Sequence, residues 1–328
     1  MKAVVIEQSS AGGSLVYRDV PDPLVGPDDL LVAVKACALN RADLLQRIGN
    51  YPQPGPKPEF EIPGLEYAGE VLETGSRVES FVPGDRVMGL LPGGGYAELV
   101  SVPQALAIKV PDSLSWQEAG GTPEVFITAH DALLQCNLQA GERVLVHAVG
   151  SGIGVASIQI AKTMGASQLI GTAGSSEKLQ RASELGLDVG VNYQEKDFAD
   201  AVLEATEGKG VDVVVDVVGA AYWERNLRAL TTQGRLVEVG LMGGAIAKKA
   251  SLGPLLMKRL QVRGTTLRAR PLEQKAQATR AFEKSVLPHI ASGKIKVVLD
   301  SVYPLQEANT AQAHMEANAN FGKIVLEP

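Results

Sequence analysis

Arg143-Val144-Leu145-Val146-His147-Ala148-Val149-Gly150-Ser151-Gly152-Ile153-Gly154-Val155-Ala156 is the stretch whose reading decides the fold. Residues 143–148 read as a buried strand, and small residues follow. A helical pattern over 152–164 starts directly behind them. A strand that empties through glycines into a helix presents the unpaired first amides of that helix at the turn, where the positive end of the helix dipole also lies. Such a turn suits a pyrophosphate. Glycines let the ligand come into contact and let helix and strand pack closely. The spacing is GxGxG, with Val155 where a GxGxxG pattern has its last glycine. The order strand, turn, helix therefore carries more of the inference than the glycines do.

Working outward, strands are expected at 168–172, 189–192, 211–216 and 235–239, with helical segments between them, one near 176–185. Nearly all-apolar strands alternating with amphipathic helices predict a parallel, doubly wound Rossmann-type α/β sheet over 123–267. Residues 1–120 read as β-rich: short β-branched runs at 31–35, 69–72 and 96–102 sit between turn signals such as Pro83-Gly84-Asp85 and Gly93-Gly94-Gly95. The prolines of 51–58 exclude helix and central strand there and predict a surface loop, the usual place for binding groups. The tail reads as a helix over 272–292, a strand over 296–302, a short helix over 306–318 and a last strand over 322–326. It lacks the β/α rhythm, so it is expected to return to the first unit. The domains are then 1–122 with 268–328, and 123–267.

The chain has 328 residues, 45% apolar and 21% charged, with 35 glycines and a formal charge of −6. Aromatics at 5% argue against a stacking platform for single-stranded nucleic acid. The acidic balance gives no basic footprint for DNA or an anionic membrane. Met1-Lys2-Ala3-Val4-Val5-Ile6-Glu7 meets a charge too early for a signal segment and reads as a first strand. No apolar run approaches the ~18 residues of a membrane span. Cys37 and Cys136 have no CxxC partners and read as reduced thiols of a cytoplasmic protein.

A second strand refines the ligand. NAD sites place an acid at its end, about 20 residues past the glycines, to grip the ribose 2′-hydroxyl. Here Thr172-Ala173-Gly174-Ser175-Ser176-Glu177-Lys178 offers small and hydroxylic residues, with Lys178 one turn on. Gly174, Ser175 and Lys178 would accept a 2′-phosphate that a carboxylate would repel. Glu177, the nearest acid, lies beyond the strand end. Together with Gly150, Ser151, Gly152, Ile153 and Gly154, these residues point to NADPH. A solvated helix lysine is the ordinary alternative for Lys178.

Asn40-Arg41-Ala42-Asp43-Leu44, Pro63-Gly64-Leu65-Glu66, Val82-Pro83-Gly84-Asp85-Arg86-Val87, Gly95-Tyr96-Ala97-Glu98, the glycine turn and Gly322-Lys323-Ile324-Val325-Leu326 together resemble the medium-chain dehydrogenase/reductase superfamily, in its zinc-independent NADPH:quinone oxidoreductase branch. The resemblance covers essentially the whole chain. Leu241-Met242-Gly243-Gly244, Leu287-Pro288-His289 and Met315-Glu316-Ala317-Asn318 are most similar to its tumour-suppressor-inducible quinone reductase subgroup. The resemblance implies a GroES-like catalytic domain completed by the tail, an active site between the domains, and NADPH as donor. It also implies a homodimer built through the last strand of the cofactor domain, near 262–267. It further implies that Thr128, Tyr193, Leu241, Met242, Gly243, Thr266, Leu267 and Asn320 line the cofactor channel.

Zinc-dependent relatives hold a catalytic metal at positions that correspond here to Asn40 and Leu65. Leu65 has no lone pair to give, and no histidine has ligand spacing around Cys37, so no metal is expected. A quinone suits such a site, because conjugation spreads the incoming charge over both oxygens. Asn40 and Tyr51 are the candidate groups at the acceptor, as orienting or hydrogen-bond-donating residues. Tyr51 is equally readable as an amphipathic loop anchor. The alternatives are a 2-alkenal or enone reductase and a non-catalytic NADPH-binding protein of crystallin-like or RNA-binding role.

Overall fold

The computed structural model describes every residue except Ser10, Ala11, Pro52 and Lys57. The last two belong to the proline loop, so that part of the expectation lies outside the described residues. The chain divides into two compact units, Met1–Ile127 with Leu267–Pro328, and Thr128–Thr266.

In the first unit, β1 (Lys2–Ser9) and β2 (Gly12–Asp19) form an antiparallel pair. A larger sheet contains β3 (Asp29–Ala38), β4 (Glu66–Thr74), β5 (Arg86–Leu90), β6 (Leu99–Pro103) and β7 (Ala107–Lys109). Helix α1 (Arg41–Arg47) follows β3, and α2 (Trp116–Gly120) follows β7. Residues 267–328 belong to this unit and bring two further strands, labelled below as β14 and β15. The expected strand over 96–102 starts only at Leu99. Tyr96 instead donates its amide to Pro63 O and accepts from Val4 N, bonds that take it out of the β3 ladder.

The second unit carries β8 (Arg143–Val146), β9 (Gln168–Ala173), β10 (Val189–Asn192), β11 (Val211–Asp216), β12 (Leu230–Glu238) and β13 (Gln261–Gly264). They form one parallel sheet in the order β10-β9-β8-β11-β12-β13. This is the 3-2-1-4-5-6 order of a doubly wound fold, whose ligands bind outside the carboxyl ends where the order reverses, here between β8 and β11. The intervening helices are α4 (Gly152–Thr163), α5 (Ser176–Ser183), α6 (Phe198–Ala205), α7 (Trp223–Ala229) and α8 (Gly253–Lys258). Helix α3 (Pro123–Gln135) begins in the first unit and continues into this one. Strand β12 starts five residues before the expected 235.

The single helix expected over 272–292 is two, α9 (Leu272–Ser285) and α10 (Leu287–Ala291), separated at Val286. Pro288 has no amide to continue the first helix, but it fits the first turn of the second. Strand β14 (Leu299–Pro304) begins three residues later than expected. The helix expected from 306 opens as a 3-10 turn and becomes α11 (Ala308–Glu316). Strand β15 (Lys323–Glu327) pairs in parallel with β14 and antiparallel with β3, Val325 opposite Ala38 and Leu326 opposite Cys37.

Candidate functional site

In the second unit, β8 ends at Val146, earlier than expected, and Ala148 takes a left-handed conformation (φ 52°). Three bonds hold it there. The Ser151 amide and hydroxyl both donate to Ala148 O (2.8 and 2.7 Å), and Val149 N donates to Thr172 O (3.0 Å). Ser151 also caps α4, its oxygen accepting from Gly154 N at 3.1 Å. Its hydroxyl is thus engaged on both sides, and the amides of Gly152 and Ile153 are what the turn offers an anion. A Cβ on Gly154 would stand 2.3 Å from Ala148 O, so only glycine permits this approach of helix to turn.

Beyond β9, Ser175 caps α5 by accepting from Lys178 N at 3.3 Å. Lys178 is half-buried, and Glu177 is exposed. Tyr193 donates its amide to Ala173 O (3.2 Å), and its hydroxyl would meet a Cβ on Gly174 at 2.6 Å. The structure thus gathers Gly174, Ser175, Lys178 and Tyr193 at the end of β9.

Beneath these turns runs a buried chain of hydrogen bonds that the sequence does not announce. Val218 N and Gly219 N donate to the Asp216 carboxyl (2.6 and 3.2 Å), as does Asn226 Nδ2 (2.7 Å). Asn226 Oδ1 must then accept from His147 Nε2 (2.7 Å), which leaves His147 Nδ1 to accept from the Thr172 hydroxyl (2.9 Å). Burial holds the imidazole below its usual range, so it is neutral. One chain of side chains therefore ties together the carboxyl ends of β8, β9 and β11.

Past β12, Met242 N and Gly243 N donate to Val217 O and Val218 O (3.1 and 2.7 Å), and the Leu241 and Met242 side chains stand exposed. Thr266 is exposed as well. Among the described residues the Thr128 hydroxyl is buried without a partner. So is one oxygen of Glu238, a carboxyl pushed up to about 8 by burial and by the neighbouring Asp216. The open amides, these orphaned atoms and the glycine approach fit a dinucleotide along the carboxyl edge of the sheet.

Four of the expected site residues, Asn40, Tyr51, Leu267 and Asn320, belong to the first unit. Asn40 is buried with both ends of its amide engaged. Its Oδ1 accepts from Lys323 Nζ (2.8 Å), and its Nδ2 donates to Glu66 Oε1 (2.9 Å). Lys323 also pairs with Glu66 (2.8 Å) and donates to Leu39 O (2.6 Å), and the second Glu66 oxygen takes Glu124 N (2.8 Å). Asp43 accepts from Asn40 N, Tyr96 Oη and Gly64 N (2.8, 3.0 and 3.3 Å), and burial raises its carboxyl to about 6.

Arg268 donates to Tyr51 O (2.9 Å), Pro92 O (2.7 Å) and Gln46 Oε1 (2.8 Å), and lies over the Tyr51 ring at 4.8 Å. Tyr51 is therefore anchored by backbone and ring, and no bond occupies its hydroxyl among the described residues. Asn320 donates to Gly322 O at 2.9 Å. A small cavity is lined by leucines, among them Leu65, Leu91 and Leu267, with Glu124, Arg268 and Lys275 as its polar members. Among the described residues no group of three or more His, Cys, Asp or Glu side chains is arranged to hold a metal ion.

The zinc-binding dehydrogenase family matches residues 152–285, and the alcohol dehydrogenase GroES-like domain matches 26–112. Quinone oxidoreductase-like protein 2 of Bos taurus is 34% identical over 314 residues, 95% of this chain and 88% of its own. The chain belongs to the quinone oxidoreductase branch of the medium-chain dehydrogenase/reductase superfamily. Within this family, the structure of Escherichia coli quinone oxidoreductase complexed with NADPH is 30% identical, with a TM-score of 0.86 over 100% of both chains. A solved NAD-dependent alcohol dehydrogenase is 34% identical, with a TM-score of 0.88 over 100% of both. Family membership makes the chain an oxidoreductase of a nicotinamide cofactor.

Glu66 and Lys323 fall within motifs quoted from the sequence, yet the motifs assign them no role, and Glu124 and Asn226 stand outside every motif. One signal is available for the first two. Glu66 and Lys323 each stand directly before a short run without charge, Tyr67-Ala68-Gly69 and Ile324-Val325-Leu326, and a charge so placed needs a partner.

Proposed function

We propose that this chain transfers a hydride from NADPH to a quinone without a metal. The observation that carries the reading is the end of β9, where the strand itself carries no carboxylate and a capped helix brings Ser175 and Lys178, with Glu177 exposed in the same turn, next to the open amides of Gly152 and Ile153. When bound, the reduced nicotinamide supplies the hydride. Gly150, Gly152 and Ile153 would face the pyrophosphate, Ser175 and Lys178 the 2′-phosphate, and Gly174 and Tyr193 the adenosine. Thr128, Leu241, Met242, Gly243 and Thr266 would follow the rest of the cofactor. The Tyr51 hydroxyl orients the acceptor. Asn40, its amide already bonded, acts by holding Glu66 and Lys323 in place rather than by touching the acceptor. Leu267 and the other leucines of the cavity keep water from it.

The test is NADPH oxidation with small ortho- and para-quinones compared with 2-alkenals. Quinones are expected to turn over faster. Equal or better turnover of alkenals moves the chain to the enone reductases, and no turnover of either removes the reading. Lys178→Ala is expected to raise KM for NADPH about 10-fold, the scale of one partly exposed charge-assisted hydrogen bond, and to leave NADH unchanged. Equal losses for both cofactors would show that Lys178 does not meet a 2′-phosphate.

A second copy of the chain is the partner this reading includes. β13 ends the sheet with three of its four residues exposed, and Leu252, Leu256 and Met257 stand exposed nearby in sequence. A monomer at every concentration in sedimentation equilibrium would remove that partner.

A further inference from the structure

We propose that Glu124 is the acid that delivers a proton to the acceptor once the hydride has been added. This rests on the hydride-transfer reading above and supplies the second half of the reaction.

Glu124 stands in the first turn of α3 with its own amide bound to Glu66 Oε2 at 2.8 Å, which fixes its backbone against the buried Glu66–Lys323 pair. Its side chain is a wall of the leucine-lined cavity. Among the described residues no hydrogen bond or ion pair takes up its carboxyl, whereas the other carboxyls and the guanidinium around it have partners. Glu66 has Lys323 and Asn40; Asp43 has three donors; Arg268 has three carbonyl-type acceptors.

Its surroundings then set its state. Among the described residues Lys323 pairs with Glu66 and Arg268 bonds only neutral oxygens, so no cation is in contact with the Glu124 carboxyl. In agreement, burial and then Glu66 push the Glu124 carboxyl up to about 8, with Asp43 adding to the shift and Lys323 and Arg268 opposing it. Lys275, across the cavity, is held below its usual range by burial and by Arg268, with Glu124 acting the other way. A neutral carboxylic acid in an apolar cavity near physiological pH is poised as a proton donor.

The step balances without a further reagent. Hydride addition leaves the quinone as a hydroquinone anion, two electrons richer. The O–H bond of Glu124 breaks, an O–H bond forms on the acceptor oxygen, and the carboxylate regains its proton from water. Glu124 changes protonation and is not oxidised or reduced.

Glu124→Gln keeps the shape and removes the proton. The variant is compared with wild type by calorimetric NADPH affinity, by the pH dependence of acceptor reduction, and by the infrared band of protonated carboxyl in cofactor-free protein. Wild type is expected to lose rate as pH rises through about 8. In the variant, affinity is unchanged, the rate falls on the order of 10²-fold, the alkaline decline disappears and one protonated-carboxyl band is lost. Glu124→Asp should keep the band and part of the rate. A Gln variant as fast as wild type with the same pH profile overturns the assignment while leaving the reductase reading intact. A wild type that reduces neither quinones nor alkenals overturns the reductase reading, and the donor role with it.

Discussion

Lys323→Met is expected to cost about 3–5 kcal/mol of folding stability, the scale for removing one partner of a buried ion pair. Lys323 is 3% exposed and Glu66 is fully buried, so the variant leaves the Glu66 carboxyl buried with no cation at contact distance. The loss also strips a donor from Leu39 O and from Asn40 Oδ1. Unpaired buried acceptors add to the cost. Urea unfolding measures it. The double variant Lys323→Met with Glu66→Gln should recover more than half of the deficit, because the stranded carboxyl is gone. A loss below about 1 kcal/mol in the single variant would mean that water reaches the pair and screens it.

Gly154→Ala is expected to weaken dinucleotide binding on the order of 10²-fold, the usual consequence of displacing a binding group by about 1 Å. The new methyl would lie 2.3 Å from Ala148 O and 2.6 Å from Val149 Cα, both backbone atoms. No side chain can swing aside, so the first turn of α4 must move, and the Gly152 and Ile153 amides move with it. Titration calorimetry with NADP⁺ or NADPH reads the effect. Undiminished affinity would show that the phosphates rest elsewhere.

Much of the second unit is legible in the amino-acid sequence. β8 and β9 are largely apolar runs closed by turns of small residues, so period and punctuation agree there. The start of β12 escapes because Thr231-Thr232-Gln233-Gly234 reads as a turn. Gln233 does adopt a left-handed conformation (φ 64°), yet the strand runs through it. The break at Val286 escapes for the opposite reason: Pro288 serves the helix it opens, so the apolar spacing carries on across the gap.

At the site, the glycine turn can be read from neighbours in sequence. The left-handed Ala148 cannot, because one of the bonds that hold it, from Val149 N to Thr172 O, closes only when β8 and β9 lie side by side. Asn40 is singled out by its motif for the right place and the wrong partner. Its amide faces Lys323, 283 residues along the chain, and nothing in one sequence joins two such positions.

That separation governs the order in which the protein can be made. Lys323 stands 283 residues after Asn40, at the head of β15 in the first unit's larger sheet. During synthesis Asn40 and Glu66 emerge long before their cation. Closing the early interior over Glu66 would strand a carboxylate, so the nascent half is held open to water by its own chemistry. The 128–266 unit needs nothing from either end for its sheet and is free to fold first. Arrival of the final strand is then the event that both neutralises and seals the other half.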